Sequence, residues 1–100
     1  MVDPGSPRVL VVDDNHAFAD NLQEILSAEG YGVAVAPSCA AAREAAKDGA
    51  DLALVDLRLP DGDGIALASE LKAGLPDLEV ILLTGHATLE SAAAAVKAAR

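Results

Sequence analysis

The sequence predicts an α/β fold in which a parallel sheet is covered by helices on both faces. Two observations carry this. Four short apolar runs rich in Val, Leu and Ile alternate with segments whose apolar residues recur at helical spacing. The connections between them are short, and parallel strands joined this way pair through right-handed helical crossovers. Composition sets the core: apolar residues make up 52%, but 22 of them are alanine and only Phe18 and Tyr31 are aromatic. Packing must therefore come from Leu, Val and Ala.

Each element follows from its local pattern. Met1 to Pro7, with two prolines and a glycine, is expected to be a flexible leader, and the domain is expected to run from residue 8 to 100. Val9 to Val12 reads as a strand that stops at Asp13, Asp14 and Asn15. Phe18, Leu22, Ile25 and Leu26 then mark the core face of a helix reaching Gly30, with Asn21 and Gln23 facing solvent. Tyr31 to Ala36 reads as a second strand, after which Pro37 and Ser38 open an alanine-rich helix closing at Gly49. Leu52 to Val55 is a third strand ending in Asp56. A turn-rich stretch, Pro60 to Gly64, leads to a helix from Ile65 to Ala73. Leu78 to Leu83 is a fourth strand ending at Thr84 and Gly85, and Leu89, Ala92, Ala93 and Val96 mark one face of a last helix.

Charge and composition exclude several functions. The chain has 100 residues, which fits one domain, and 16 acidic against 7 basic side chains give a net charge of −9. Without a Lys/Arg cluster nothing releases counterions from a phosphate backbone, so no direct nucleic-acid partner is expected. Charged residues break every apolar run before the ~18 residues a bilayer span needs, so no membrane partner is expected either. The absence of a secretory signal pattern and the single Cys39 suit a cytoplasmic protein.

Ligands of open parallel sheets sit beyond the carboxyl ends of the strands, so the residues ending each strand matter most. The first strand ends in Asp13 and Asp14, the third in Asp56, the fourth in Thr84, and the second only in Ala36 and Pro37. If the first, third and fourth strands are neighbours, three carboxylates converge. They repel one another unless a cation sits between them. All-oxygen ligands with open positions suit Mg2+, with Mn2+ able to substitute. A carboxylate beside such an ion, with a hydroxyl nearby for a phosphoryl oxygen, can act as a nucleophile and form an acyl phosphate. Taken singly, Asp13, Asp14 or Asn15 also reads as a helix cap, Asp61 and Asp63 as turn residues around Gly62, and Thr84 as a loop hydroxyl. Capping requires neither an acid on the third strand nor a hydroxyl on the fourth. His16 and His86 read as solvated, Cys39 as helix packing, and Lys97 as part of a solvated helix face.

These residues together resemble a bacterial response-regulator receiver domain of two-component signalling. The resemblance rests on Asp13-Asp14 after the first strand, on Asp56-Leu57-Arg58-Leu59-Pro60-Asp61-Gly62-Asp63-Gly64, and on Thr84-Gly85-His86-Ala87-Thr88. The last stretch is most similar to nitrogen-regulatory-type and hybrid-kinase receivers. The resemblance implies a flavodoxin-like fold with strand order 2-1-3-4, the fifth strand and helix of the family being absent from this chain. It implies a phosphorelay role in which Asp56 takes a phosphoryl group from a histidine kinase or phosphotransfer protein. Asp14 and Asp56 would ligate Mg2+, Asp13 would act through water, and the Arg58 backbone carbonyl would complete the set. Thr84 would hold a phosphoryl oxygen and move inward on activation to control an output domain after Arg100. Gly85 would leave room for the phosphoryl group, Arg58 would tune how fast water reaches the acyl phosphate, and Pro60 and Gly64 would shape the loop; His86, two places after Thr84, would at most modulate access. Such a domain is no turnover enzyme, although it assists its own phosphorylation and dephosphorylation.

The family pattern also contains a lysine and an aromatic switch residue on its fifth strand, and this sequence carries neither. The alternative is therefore a receiver-like interaction module that works by contact without phosphorylation. An aspartyl phosphatase would want a second acid two residues beyond its nucleophile, where Arg58 stands. A nucleotide-binding module lacks its glycine fingerprint and phosphate-loop lysine. In the order 2-1-3-4 the fourth strand is an apolar edge, which predicts self-association through it.

Overall fold

The computed structural model describes residues 5–99, so residues 1–4 of the expected leader and Arg100 lie outside the described residues. The elements are β1 (Arg8–Val12), α1 (His16–Ala28), β2 (Gly32–Ala36), α2 (Cys39–Ala46) and β3 (Leu52–Asp56). Then come β4 (Arg58–Leu59), β5 (Gly62–Asp63), α3 (Gly64–Gly74), β6 (Glu79–Leu83) and α4 (Leu89–Ala99). The long strands form one sheet in the order β2-β1-β3-β6, every neighbouring pair parallel, which is the expected 2-1-3-4 arrangement.

Alternation along the central strands divides the core into two layers. Val9, Val11, Leu52, Leu54 and Leu83 face α1 and α4, whereas Leu10, Val12, Ala53 and Val55 face α2 and α3. The β1-to-β2 step runs one way across the sheet and the β2-to-β3 and β3-to-β6 steps run the other. Right-handed crossovers then require α1 on the opposite face from α2 and α3. The last helix lies on the α1 side, where Ala92, Ala93 and Val96 are buried and Lys97 pairs with Glu29 at 3.0 Å.

Three local expectations change. Ile25 flanks the buried stripe of Ala19, Leu22 and Leu26 instead of joining it, and is 36% exposed. Gln23 is half-buried and donates from Nε2 to the Val33 carbonyl, tying α1 to β2. The stretch after β3 is a small antiparallel hairpin, β4 with β5, turning through Pro60 and Asp61. Gly30 follows α1 with φ +95°, a left-handed conformation that ends the helix and lets Tyr31 start the return to the sheet.

Candidate functional site

The site lies where β1 and β3 end side by side. Val12 pairs with Ala36 on one side and Val55 on the other, so the chain order reverses across this point and the residues just past β1 and β3 share one crevice. Asp13 follows β1, and its amide donates to the Ala36 carbonyl at 3.0 Å, which extends the ladder by one step and fixes where the side chain begins. Its Oδ1 accepts from the Asn15 amide at 2.9 Å. Asn15, not Asp13 or Asp14, caps α1, accepting from the Phe18 amide at 3.1 Å. The two aspartates are thereby left for other work.

Asp13, Asp14 and Asp56 each present an oxygen within 4.8 Å of the other two. Asp13 is buried at 8% exposure, Asp56 half-buried and Asp14 exposed, so the cluster has a closed floor and an open side. Burial pushes the Asp13 carboxyl above its ordinary value; the Asn15 amide opposes this, and the charges of Asp56 and Asp14 push further upward. Three hard oxygen donors of like charge, one of them desolvated, suit a small divalent cation that keeps waters on the open side. Mg2+ fits this set.

The loop beyond Asp56 is held tightly at its base. Arg58 donates its amide to Asp56 Oδ1 at 3.2 Å, and Gly64 donates to the Leu57 carbonyl at 3.0 Å. Leu59 is buried in the α2–α3 layer, whereas the Arg58 side chain and Pro60 are exposed. Gly64 lies against the main chain of Asp56 itself, and Asp63 caps α3 by accepting from the Ile65 amide at 2.9 Å. On the neighbouring strand Leu83 is the register partner of Asp56, and Thr84 is the next residue along. Thr84 is exposed, as are Gly85 and His86, and its Oγ1 accepts from the His86 amide at 3.3 Å. A Cβ at Gly85 would meet nothing within 4 Å, so space stands open there.

One residue read only as a turn former does more. Asp61 reaches α2, where its two oxygens accept from the Cys39 amide at 2.7 Å and the Ala40 amide at 3.0 Å. These amides hold its carboxyl below the ordinary value. No local pattern could show this, because the partners lie 22 and 21 residues away. His16 begins α1 and is exposed, and Cys39 is a buried free thiol. No described helix is long and apolar enough to cross a membrane.

Known proteins are similar to this chain in sequence and fold. The photosynthetic apparatus regulatory protein RegA of Rhodobacter capsulatus is 34% identical over 95 residues, covering 93% of this chain and 52% of RegA. The transcriptional regulatory protein ZraR of Escherichia coli K12 is 39% identical over 90 residues, covering 89% of this chain and 20% of ZraR. The chain thus spans about half the length of one curated relative and a fifth of the other. Among solved structures, the response regulator protein TrrA from Thermotoga maritima, in complex with Mg2+-BeF, superposes with a TM-score of 0.73 at 33% identity, over 81% of this chain and 71% of that one. The family model for the response regulator receiver domain matches residues 9–99. With its sheet order, its acidic crevice and that match in agreement, the chain belongs to the response regulator receiver domain family.

Proposed function

We propose that this chain is a phosphoacceptor: Asp56 takes a phosphoryl group from the phosphohistidine of a histidine kinase or phosphotransfer protein, and the change of state controls an attached output domain. The observation that carries this reading is the convergence of Asp13, Asp14 and Asp56 within 4.8 Å, with Asp13 buried. Asp14, Asp56 and the Arg58 carbonyl would hold Mg2+, with Asp13 acting through water; Mn2+ would substitute. When bound, the ion supplies neutralisation of the charge that builds on the transferring phosphoryl group.

The chain's own groups do the rest. An Asp56 carboxylate oxygen attacks phosphorus and the P–N bond of the donor breaks; the donor ring, protonated on its other nitrogen, leaves as neutral imidazole, and an acyl phosphate remains on Asp56. The Arg58 amide orients the Asp56 carboxylate through Oδ1. Thr84, next to the register partner of Asp56, accepts the role of donor to a phosphoryl oxygen. The open space at Gly85 leaves room for that group, while Arg58 and His86 modulate the access of water. The domain is a signalling element that assists its own phosphorylation and dephosphorylation, not a turnover enzyme, and it works in the cytoplasm. RegA and ZraR are by name regulatory proteins, and TrrA is in complex with Mg2+-BeF; both support the reading.

Intact mass after incubation with acetyl phosphate and Mg2+ tests it. A phosphoryl adduct should form on the unaltered chain and vanish in Asp56→Ala. An adduct only on a chain extended through a further strand and helix would show that the family's lysine is needed for the chemistry, and no adduct on either would favour an interaction module that acts by contact alone.

A further inference from the structure

We propose that Asp61 is a positioning residue for the phosphoacceptor site: by gripping the first turn of α2 it fixes the β4–β5 hairpin, and with it the Arg58 main chain beside Asp56. The inference rests on the receiver reading above and adds a residue and a mechanism to it.

The geometry is specific. Asp61 stands at the tip of a hairpin whose base carries Asp56, and its two oxygens take the Cys39 and Ala40 amides at 2.7 and 3.0 Å. The first turn of α2 already has a cap, since Ser38 Oγ accepts from the Ala41 amide at 3.1 Å. Asp61 therefore takes the two amides that Ser38 leaves over, and its negative charge suits the positive end of the helix. A helix that needed only one cap would not require a second acceptor from 22 residues away.

The hairpin also lies flush against the helix, because a Cβ at Gly62 would come within 3.1 Å of Cys39 Sγ. The same end of α2 leads back to the acidic cluster. Ser38 follows Pro37 and Ala36, and the Ala36 carbonyl accepts the Asp13 amide at 3.0 Å. A continuous path of hydrogen bonds and short backbone steps thus runs from Asp13 through α2 and Asp61 to Arg58 and Asp56. Without the Asp61 grip the hairpin tip loses its two hydrogen bonds to α2, and the base, Leu59 and the close approach of Gly62 to Cys39 are what hold it. A ligand set that includes a main-chain carbonyl depends on such support, and groups behind metal ligands typically change affinity about 10–100-fold.

The test compares the unaltered chain with Asp61→Ala, Asp61→Asn and Ser38→Ala. Mg2+ binding is read by calorimetry, the exchange rate of the Arg58 amide is read by NMR in the metal-free protein, and Tm is recorded for all. Ser38→Ala removes a cap from the same helix end without touching the hairpin, so it reports a merely structural role. Asp61→Ala should weaken Mg2+ about tenfold and speed Arg58 exchange, with Asp61→Asn between it and the unaltered chain, since one acceptor oxygen remains. Ser38→Ala should lower Tm but leave both other readings unchanged. Equal effects of Ser38→Ala and Asp61→Ala on Mg2+ overturn the inference, as does unchanged binding in Asp61→Ala. Failure of the unaltered chain to bind Mg2+ overturns the Mg2+-assisted phosphoacceptor reading and the inference with it.

Discussion

Gly64 lies under the carbonyl of Asp56 so closely that a Cβ there would sit 2.0 Å from the carbonyl oxygen and 2.8 Å from its carbon. No side chain fits without moving the end of β3, which is the strand that presents the proposed phosphoacceptor, Asp56. Gly64→Ala should therefore destabilise the chain by about 3 kcal/mol and impair phosphorylation together. Gly74, at the end of α3 with nothing near its would-be Cβ and no positive φ, is the control. Gly74→Ala should be neutral or stabilise by about 0.5 kcal/mol, and thermal unfolding of the two variants checks both signs.

Asp13→Asn separates metal binding from stability. The buried Asp13 carboxyl is raised by desolvation and by its two acidic neighbours, so removing its charge relieves a strained metal-free cluster. Tm without metal should rise by a few degrees, roughly 2–5 °C, while Mg2+ should stabilise the variant less than it stabilises the unaltered chain. A Tm series with and without Mg2+ reads both effects, and a fall in the metal-free Tm would contradict the repulsion argument.

Acid should release the Asp61 grip. The Cys39 and then the Ala40 amide hold its carboxyl below the ordinary 3.8, so its stabilisation is complete above that value. The stabilisation is lost as pH falls below 3.8 through the lower folded value. Asp61→Asn, which does not titrate, should show a flatter stability curve in that window. Urea unfolding midpoints measured between neutral pH and about pH 2.5 test this.

The outer edge of β6 should mediate self-association with a second copy. Past Glu79 the strand carries only Val80, Ile81, Leu82 and Leu83, and Leu82 is 42% exposed, so nothing charged guards its middle. An antiparallel pairing of two β6 edges is closed by a two-fold axis. The net charge of −9 opposes it, so added salt should strengthen it. Light scattering at high concentration should show dimers that Leu82→Lys removes; a monomer at every concentration and salt level would contradict this.

Much of the architecture was legible because it is periodic. The run Val9 to Val12 ending in two aspartates, Leu52 to Val55 ending in Asp56, and Ala92, Ala93 and Val96 at helical spacing each name an element and its buried face. Ile25 departs from the pattern because periodicity alone does not set the width of the buried stripe: Ala19, Leu22 and Leu26 fill it and Ile25 stands at its margin. The hairpin after β3 has strands of only two residues each, too short for any repeat to show.

What the sequence by itself determined is the order of strands and helices and the acidic and hydroxyl residues that end them, because strand and helix periods and chain order are local properties. Tertiary structure alone decided that α4 lies beside α1, that Asp13, Asp14 and Asp56 meet within 4.8 Å, that Gly64 must be bare, and that Asp61 reaches α2. Each depends on which surfaces meet after the chain has crossed the sheet, and contacts between residues far apart in sequence leave no period in it.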